Sequence, residues 1–189
     1  MYEAGYNKLF LGMIFIIFDI RFGEINILPD FIGYFLIYAG VISLQQQHEF
    51  YKKAKVPLII LLSMSLIKVI GYFIPSYIVN SKENINIFSL LLGSFTSLIT
   101  VYLIYILCRG IYLLAVSRGE EELKTNAEHR FKYYSITLIA LVLYLPFSIN
   151  LSQDMSIIGE AIILINIIFT LPIAGLFRKA MNVLGDGKV

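Results

Sequence analysis

Long apolar runs separated by short charged stretches set the pattern of this chain. The runs are Tyr6 to about Ile20, Ile25 to Leu44, Val56 to Val79, Ile85 to Cys108, Phe131 to Leu151 and Met155 to Phe177. A bilayer's hydrocarbon core of about 30 Å takes roughly 20 mostly apolar helical residues, so the pattern predicts six membrane-spanning helices. The fourth is the clearest, with no charged residue between Glu83 and Arg109, and the first is the shortest, bounded by Lys8 and Asp19. The runs lack the roughly ten-residue alternation of a membrane barrel. Backbone in hydrocarbon must satisfy its own hydrogen bonds, which leaves helices. The expected fold class is an all-α, polytopic transmembrane helical bundle, with residues 1–189 as a single transmembrane domain.

The N-terminus reads as a retained helix rather than a removable signal. Lys8 followed by Leu9 to Phe18 imitates a signal sequence, but Asp19, Arg21 and Glu24 arrive where a small-residue cleavage site belongs. Basic residues then test the count of spans. With the N-terminus in the cytoplasm, six spans put Lys8, Lys52, Lys53, Lys55, Arg109, Arg118, Lys124, Arg130, Lys132, Arg178, Lys179 and Lys188 inside, which is 12 of the 15 Lys and Arg residues. Only Arg21 and Lys82 fall outside, and Lys68 lies within the third helix. The expectation is both termini cytoplasmic, in a cell membrane.

Composition agrees and removes other classes. Hydrophobic residues make up 58% of the chain and charged ones 15%, against about 25% charged in soluble domains. Mean hydropathy is +0.79. A net charge of +2 dispersed among apolar runs forms no basic stripe, so no nucleic-acid partner is expected. The lone Cys108 makes no internal disulfide, and nothing in the spacing of Cys108, His48 and His129 suggests a metal site. No cofactor is implied.

Arg109 to Arg130 is the longest stretch between spans. Its Glu120–Lys124 and Glu128–Lys132 spacings support exposed helix, so the fourth and fifth helices are expected to project into the cytoplasm. Ser89, Gly93 and Ser97, with Thr96 and Thr100 beside them, and Gly33 with Gly40, read as small-residue surfaces for close helix packing. Pro75, Pro146 and Pro172 are expected to kink or end their helices.

Asp19 to Gly40 has the most individual sequence. Leu28-Pro29-Asp30 looks like a helix start, and Gly23 permits a tight turn before it. Through its Asp-Ile-Arg-Phe-Gly stretch and its Leu-Pro-Asp-Phe-Ile-Gly-Tyr run, the chain from Lys8 to Leu44 resembles a group of uncharacterised small multi-pass membrane proteins of low-GC Gram-positive bacteria. The resemblance implies a shared N-terminal hairpin and brings no activity.

Charges within spans are costly in lipid and point to function or to a structural pair. Lys68 lies deep in the third helix, and Glu160, Asp19 and Asp30 belong to the outer half. A Lys68–Glu160 ion pair is the expected arrangement, with Arg21 opposite Asp30 across the hairpin. Tyr34 and Tyr38 share a helix face and suit aromatic packing or a shared outer cavity. Asn166 and Thr170 share a face of the sixth helix, turned away from Glu160. No nucleophile elbow, phosphate loop or dinucleotide fingerprint appears. Three functional classes follow: an accessory role in assembly, immunity or signalling with a membrane-protein partner or a second copy; small-solute or ion transport, alone or as a substrate-binding component; and an intramembrane enzyme. A closed, polar-lined cavity in the outer half would favour transport, and a solid core with an exposed apolar groove between helices would favour a partner.

Overall fold

The computed structural model describes residues 2–18, 21–22, 25–26, 30–73, 87–148 and 156–186, with side chains except at 21–22, 25–26, 68–73, 87–90, 145–148, 156–160 and 163. Six α-helices lie among these residues: α1 (Glu3–Ile17), α2 (Asp30–Leu44), α3 (Lys55–Phe73), α4 (Ile87–Arg118), α5 (Glu121–Ser148) and α6 (Ser156–Leu184). A 3-10 helix, Glu49–Ala54, leads into α3, and between α1 and α2 a two-stranded antiparallel ribbon pairs Arg21–Phe22 with Ile25–Asn26. Each helix packs on its sequence neighbours, and α6 closes on α1, so the six form a ring.

Helix ends differ from the sequence reading in ways that have local causes. The second helix starts at Asp30, not Ile25, because the residue before a proline is pushed out of α geometry and Asp30 favours the helix N-terminus. Residues 25–26 are ribbon instead. Between the fourth and fifth spans the charged stretch is nearly all helical, as its charge spacing predicts. α4 runs on to Arg118, where Gly119 takes φ +71°; Glu120 N–H donates to Ala115 O (2.9 Å) and Gly119 N–H to Val116 O (3.3 Å). This is a Schellman termination, which needs a left-handed residue that glycine adopts freely. α5 begins at once with Glu121 and Glu122 in its first turn. At 1.5 Å per residue, the 32 residues of α4 extend about 48 Å, well beyond a hydrocarbon core of about 30 Å.

Glycines bring α1 and α2 together. A Cβ on Gly12 would lie 2.6 Å from Gly33 O, and one on Gly33 would lie 2.7 Å from Gly12 O. One heptad away, a Cβ on Gly40 would meet Gly5 O at 2.8 Å. The expected packing role of Gly33 and Gly40 is thus met by matching glycines on α1.

Both chain ends reach the same end of the ring, where Tyr2 N–H donates to Gly185 O (3.2 Å). Starts of α1, α3 and α5 and ends of α2, α4 and α6 gather there. The last carbonyls of α6, which have no partner within their own helix, take donors from three other elements. Gln47 Nε2 donates to Leu184 O (2.9 Å), Arg118 Nη1 to Val183 O (3.5 Å), and Tyr2 to Gly185. Tyr6 and Tyr51, both fully buried, sit inside this closure; the Tyr6 hydroxyl donates to Gln47 Oε1 (2.9 Å). Burial pushes the Tyr51 phenol well above its ordinary pKa, so it stays neutral.

Outward faces are apolar. On α4 the exposed large residues Leu91, Phe95, Leu98, Tyr102 and Tyr105 recur at three- and four-residue steps, and on α6 Leu164, Ile168 and Leu171 do the same. Ile67 of α3 is 68% exposed, Leu143 of α5 63% and Phe35 of α2 55%. α4 and α6 are each long and apolar enough to cross a membrane, and α2 is a shorter apolar helix.

Candidate functional site

Away from the closed end, the ring encloses a cavity of about 350 Å³. This lies in the lower part of the range of roughly 300–1,000 Å³ typical of small-molecule sites. Five helices build its wall. α1 contributes Met13, Ile16 and Ile17; α2 contributes Tyr34 and Ile37; α4 contributes Gly93, Thr96, Ser97, Thr100, Leu103 and Ile104. α5 adds Tyr134 and Leu138, and α6 adds Asn166, Ile167 and Thr170. No charged side chain is among these lining residues.

The stretch of α4 read as a packing surface is in fact the polar side of this cavity. Among the described residues, a Cβ on Gly93 would meet no atom within 4 Å. Thr96 Oγ1 donates to Leu92 O (2.7 Å) and Thr100 Oγ1 to Thr96 O (2.8 Å), the back-bonding that lets threonine sit in an apolar helix. Thr96 also reaches Met64 Sδ of α3 at 3.6 Å, which ties α3 to the ring behind the cavity.

On the opposite side, Thr170 Oγ1 donates to Asn166 O (2.7 Å) and approaches Asn166 Oδ1 (3.4 Å). The predicted shared face of these two residues is correct, and that face is the cavity wall. Asn166 Nδ2 is buried and has no hydrogen-bond partner among the described residues. Thr170's single hydroxyl hydrogen goes to Asn166 O, so a turned amide would let Nδ2 donate to Thr170 Oγ1; in either orientation the Asn166 amide is part of the cavity wall. Below it, Pro172 lies within α6 without ending it. Proline lacks the N–H that would pair four residues back, and Arg130 Nη1 of α5 donates to Pro172 O (2.7 Å), bracing the helix at that level.

The other predicted site residues are distributed unevenly. Tyr34 is buried and lines the cavity, with Thr100 as its hydrogen-bonding neighbour. Tyr38, one turn on, packs half-buried against the core instead, so the two hydroxyls do not share the cavity. Asp30 opens α2 one turn before Tyr34 and makes interactions of its own. Lys68 falls in α3, Glu160 in the first turns of α6 and Arg21 in the ribbon, but these three side chains, and all of Asp19, lie outside the described residues. The Lys68–Glu160 pair lies outside them too.

Tyr134, Met13 and Ile37 were not singled out in the sequence, where nothing separates an aromatic or aliphatic cavity residue from one in the core. Outside the cavity, Lys179 pairs with Glu122 and Lys124 with Glu121 (2.8 Å). The expected Glu120–Lys124 pairing is replaced by this three-residue step, because Glu120 precedes the helix. Comparison with protein families, with characterised proteins and with solved structures finds no match to this chain.

Proposed function

We propose that this chain is a multi-pass membrane protein that binds a small solute inside its helical ring, the binding step of transport. The cavity carries this reading: a space within the bundle, away from the closed end, with mostly apolar walls and a few hydroxyl and amide groups, is what a small-solute site requires. Lys68, Glu160 and the outer carboxylates remain candidates for its mouth.

Six spans with both termini in the cytoplasm belong to the same proposal. Exposed apolar stripes on α2 to α6 suit lipid and would be a liability in water. Among charged residues with described side chains, all but Asp30 fall toward the end where the termini meet, which suits a cytoplasmic face. The bacterial cytoplasmic membrane follows from the resemblance of the N-terminal hairpin.

The test is purification of the whole chain in mild detergent, followed by native mass spectrometry. A retained small molecule that is lost from Gly93→Phe, which fills the cavity where nothing stands within 4 Å, supports solute binding. A stoichiometric membrane-protein partner with no small molecule returns the chain to the accessory class. Reporter fusions check the topology: a terminus active outside the cell sinks the six-span arrangement.

A further inference from the structure

We infer that the outer face of α4 holds an anionic phospholipid of the cytoplasmic leaflet, with its phosphate at the Arg109 guanidinium and an acyl chain along the exposed apolar stripe that ends there. The inference rests on the membrane-spanning reading and is independent of the solute cavity, which lies on the other side of the same helix.

Spacing along α4 joins the charge to the stripe. Leu91, Phe95, Leu98, Tyr102 and Tyr105 are exposed, and Arg109, also exposed, follows Tyr105 by the same four-residue step, so the apolar line leads to a guanidinium. From Leu98 to Arg109 is about 16 Å along the helix, close to half of a hydrocarbon core of about 30 Å and so to the depth of one leaflet. With the stripe against acyl chains, Arg109 stands at headgroup level.

Aromatic rings fill the level between charge and chain. Tyr105 meets Phe131 of α5 (5.5 Å between ring centres), Tyr102 of its own helix (6.5 Å) and Phe50 of the 3-10 helix (6.5 Å). Tyrosines favour the membrane–water interface, where an apolar ring and a polar tip are both satisfied. Two cations lie over rings of this patch: Arg109 is 4.5 Å from the centre of the Tyr112 ring, and Lys53 Nζ is 4.5 Å from that of Phe50. Stacking on a ring face leaves the N–H donors at the guanidinium edge free for a phosphate. Neither cation has a carboxylate within 4 Å among the described residues, whereas Lys124 and Lys179 are paired. A crevice of about 90 Å³ opens beside Arg109, Tyr112 and Phe131, with Glu128 on its α5 wall. One carboxylate against two cations leaves the patch net positive, which an anionic headgroup complements.

The purified full-length protein in mild detergent is titrated with phosphatidylglycerol and with phosphatidylcholine of the same acyl chains, and bound lipid is counted by native mass spectrometry. Phosphatidylglycerol is expected to bind about tenfold more tightly. Arg109→Gln should reduce that advantage about fivefold, and Arg109→Lys, which keeps the charge, should retain most of it. Arg178→Gln is the matched control: Arg178 also lies over a ring, Phe10 of α1 at 5.7 Å, but on α6, and its loss should leave the advantage unchanged. Gly93→Phe, which fills the solute cavity, should leave it unchanged as well.

Equal binding of the two lipids by the unaltered protein, an unchanged advantage in Arg109→Gln, or an equal loss in Arg178→Gln overturns the inference. A preference lost in Gly93→Phe overturns it by placing the lipid in the cavity, and a dimer that excludes phosphatidylglycerol does so by giving the stripe to a second copy of the chain. A protein that stays monodisperse without detergent and takes up neither lipid removes the membrane-spanning reading itself.

Discussion

Helix α4 passes through both halves of the ring, and its two interior glycines meet opposite surroundings. A Cβ on Gly110 would lie 2.6 Å from the ring of Tyr51, while one on Gly93 would meet nothing within 4 Å. Around Gly110 the helix ends interlock through Tyr6, Gln47, Tyr51 and the last carbonyls of α6. Around Gly93 the same helix faces empty space bordered by threonines and the Asn166 amide. One half is closely packed and the other leaves a half-open space, which is where the proposed solute would sit.

The sharpest way to break this contrast is to fill each glycine. Gly110→Val should lower unfolding free energy by about 3 kcal/mol, since the buried Tyr51 ring has no room to retreat, whereas Gly93→Val should stay within about 0.5 kcal/mol of the parent. Denaturant titration in detergent compares them; equal losses would mean that the two halves do not differ in packing.

Tyr6→Phe tests the closed end more gently. Removing the hydroxyl leaves Gln47 Oε1 without its 2.9 Å donor. A cost of about 1 to 3 kcal/mol is expected for leaving that buried acceptor unmet. An unchanged unfolding midpoint would show that the interlock of helix ends contributes nothing.

Asn166→Leu should act with the opposite sign. Replacing a partly buried amide whose hydrogen bonds are incompletely met by an apolar side chain should stabilise the empty protein by about 1 kcal/mol while weakening retention of the proposed solute. A substitution that stabilises and disables would identify the cavity as the place where stability yields to function. Destabilisation instead would show that Asn166 is paired in the protein as it stands in lipid.

The smallest effects are expected at the exposed helix starts. Lys179 holds the Glu122 carboxyl below its ordinary pKa, so that pair's contribution is present at neutral pH and is lost only as pH falls through the lowered value. Glu121 raises the Lys124 ammonium, whose contribution is lost only as pH rises through its raised value. Between about pH 5 and pH 9 neither group titrates. Glu122→Gln should leave the thermal midpoint within measuring error across that window, since exposed pairs contribute little. A clear drop would mean that the α5–α6 surface matters to the closed end.

Element by element, the sequence determined the parts that depend on neighbours along the chain. Long apolar runs were legible as helices, and six α-helices lie among the described residues, of which α4 and α6 are long and apolar enough to cross a membrane. Pro29-Asp30 marks the start of α2, and the Glu-rich stretch after Gly119 was legible as helix, although its termination as a Schellman turn was not drawn from the glycine that makes it. Gly33 and Gly40 announced a close helix contact without naming its partner, because Gly5 and Gly12 become meaningful only when α1 lies against α2. The site was legible in type and not in place. Gly93, Ser97, Thr96 and Thr100 look like a packing stripe, since small and weakly polar residues serve close contact and cavity walls equally well. Which role they take depends on what stands opposite, and that is decided by the closure of α6 on α1, a contact between the two ends of the chain. Asn166 gained its role the same way: an amide in an apolar helix is ambiguous until the ring places it in the cavity wall.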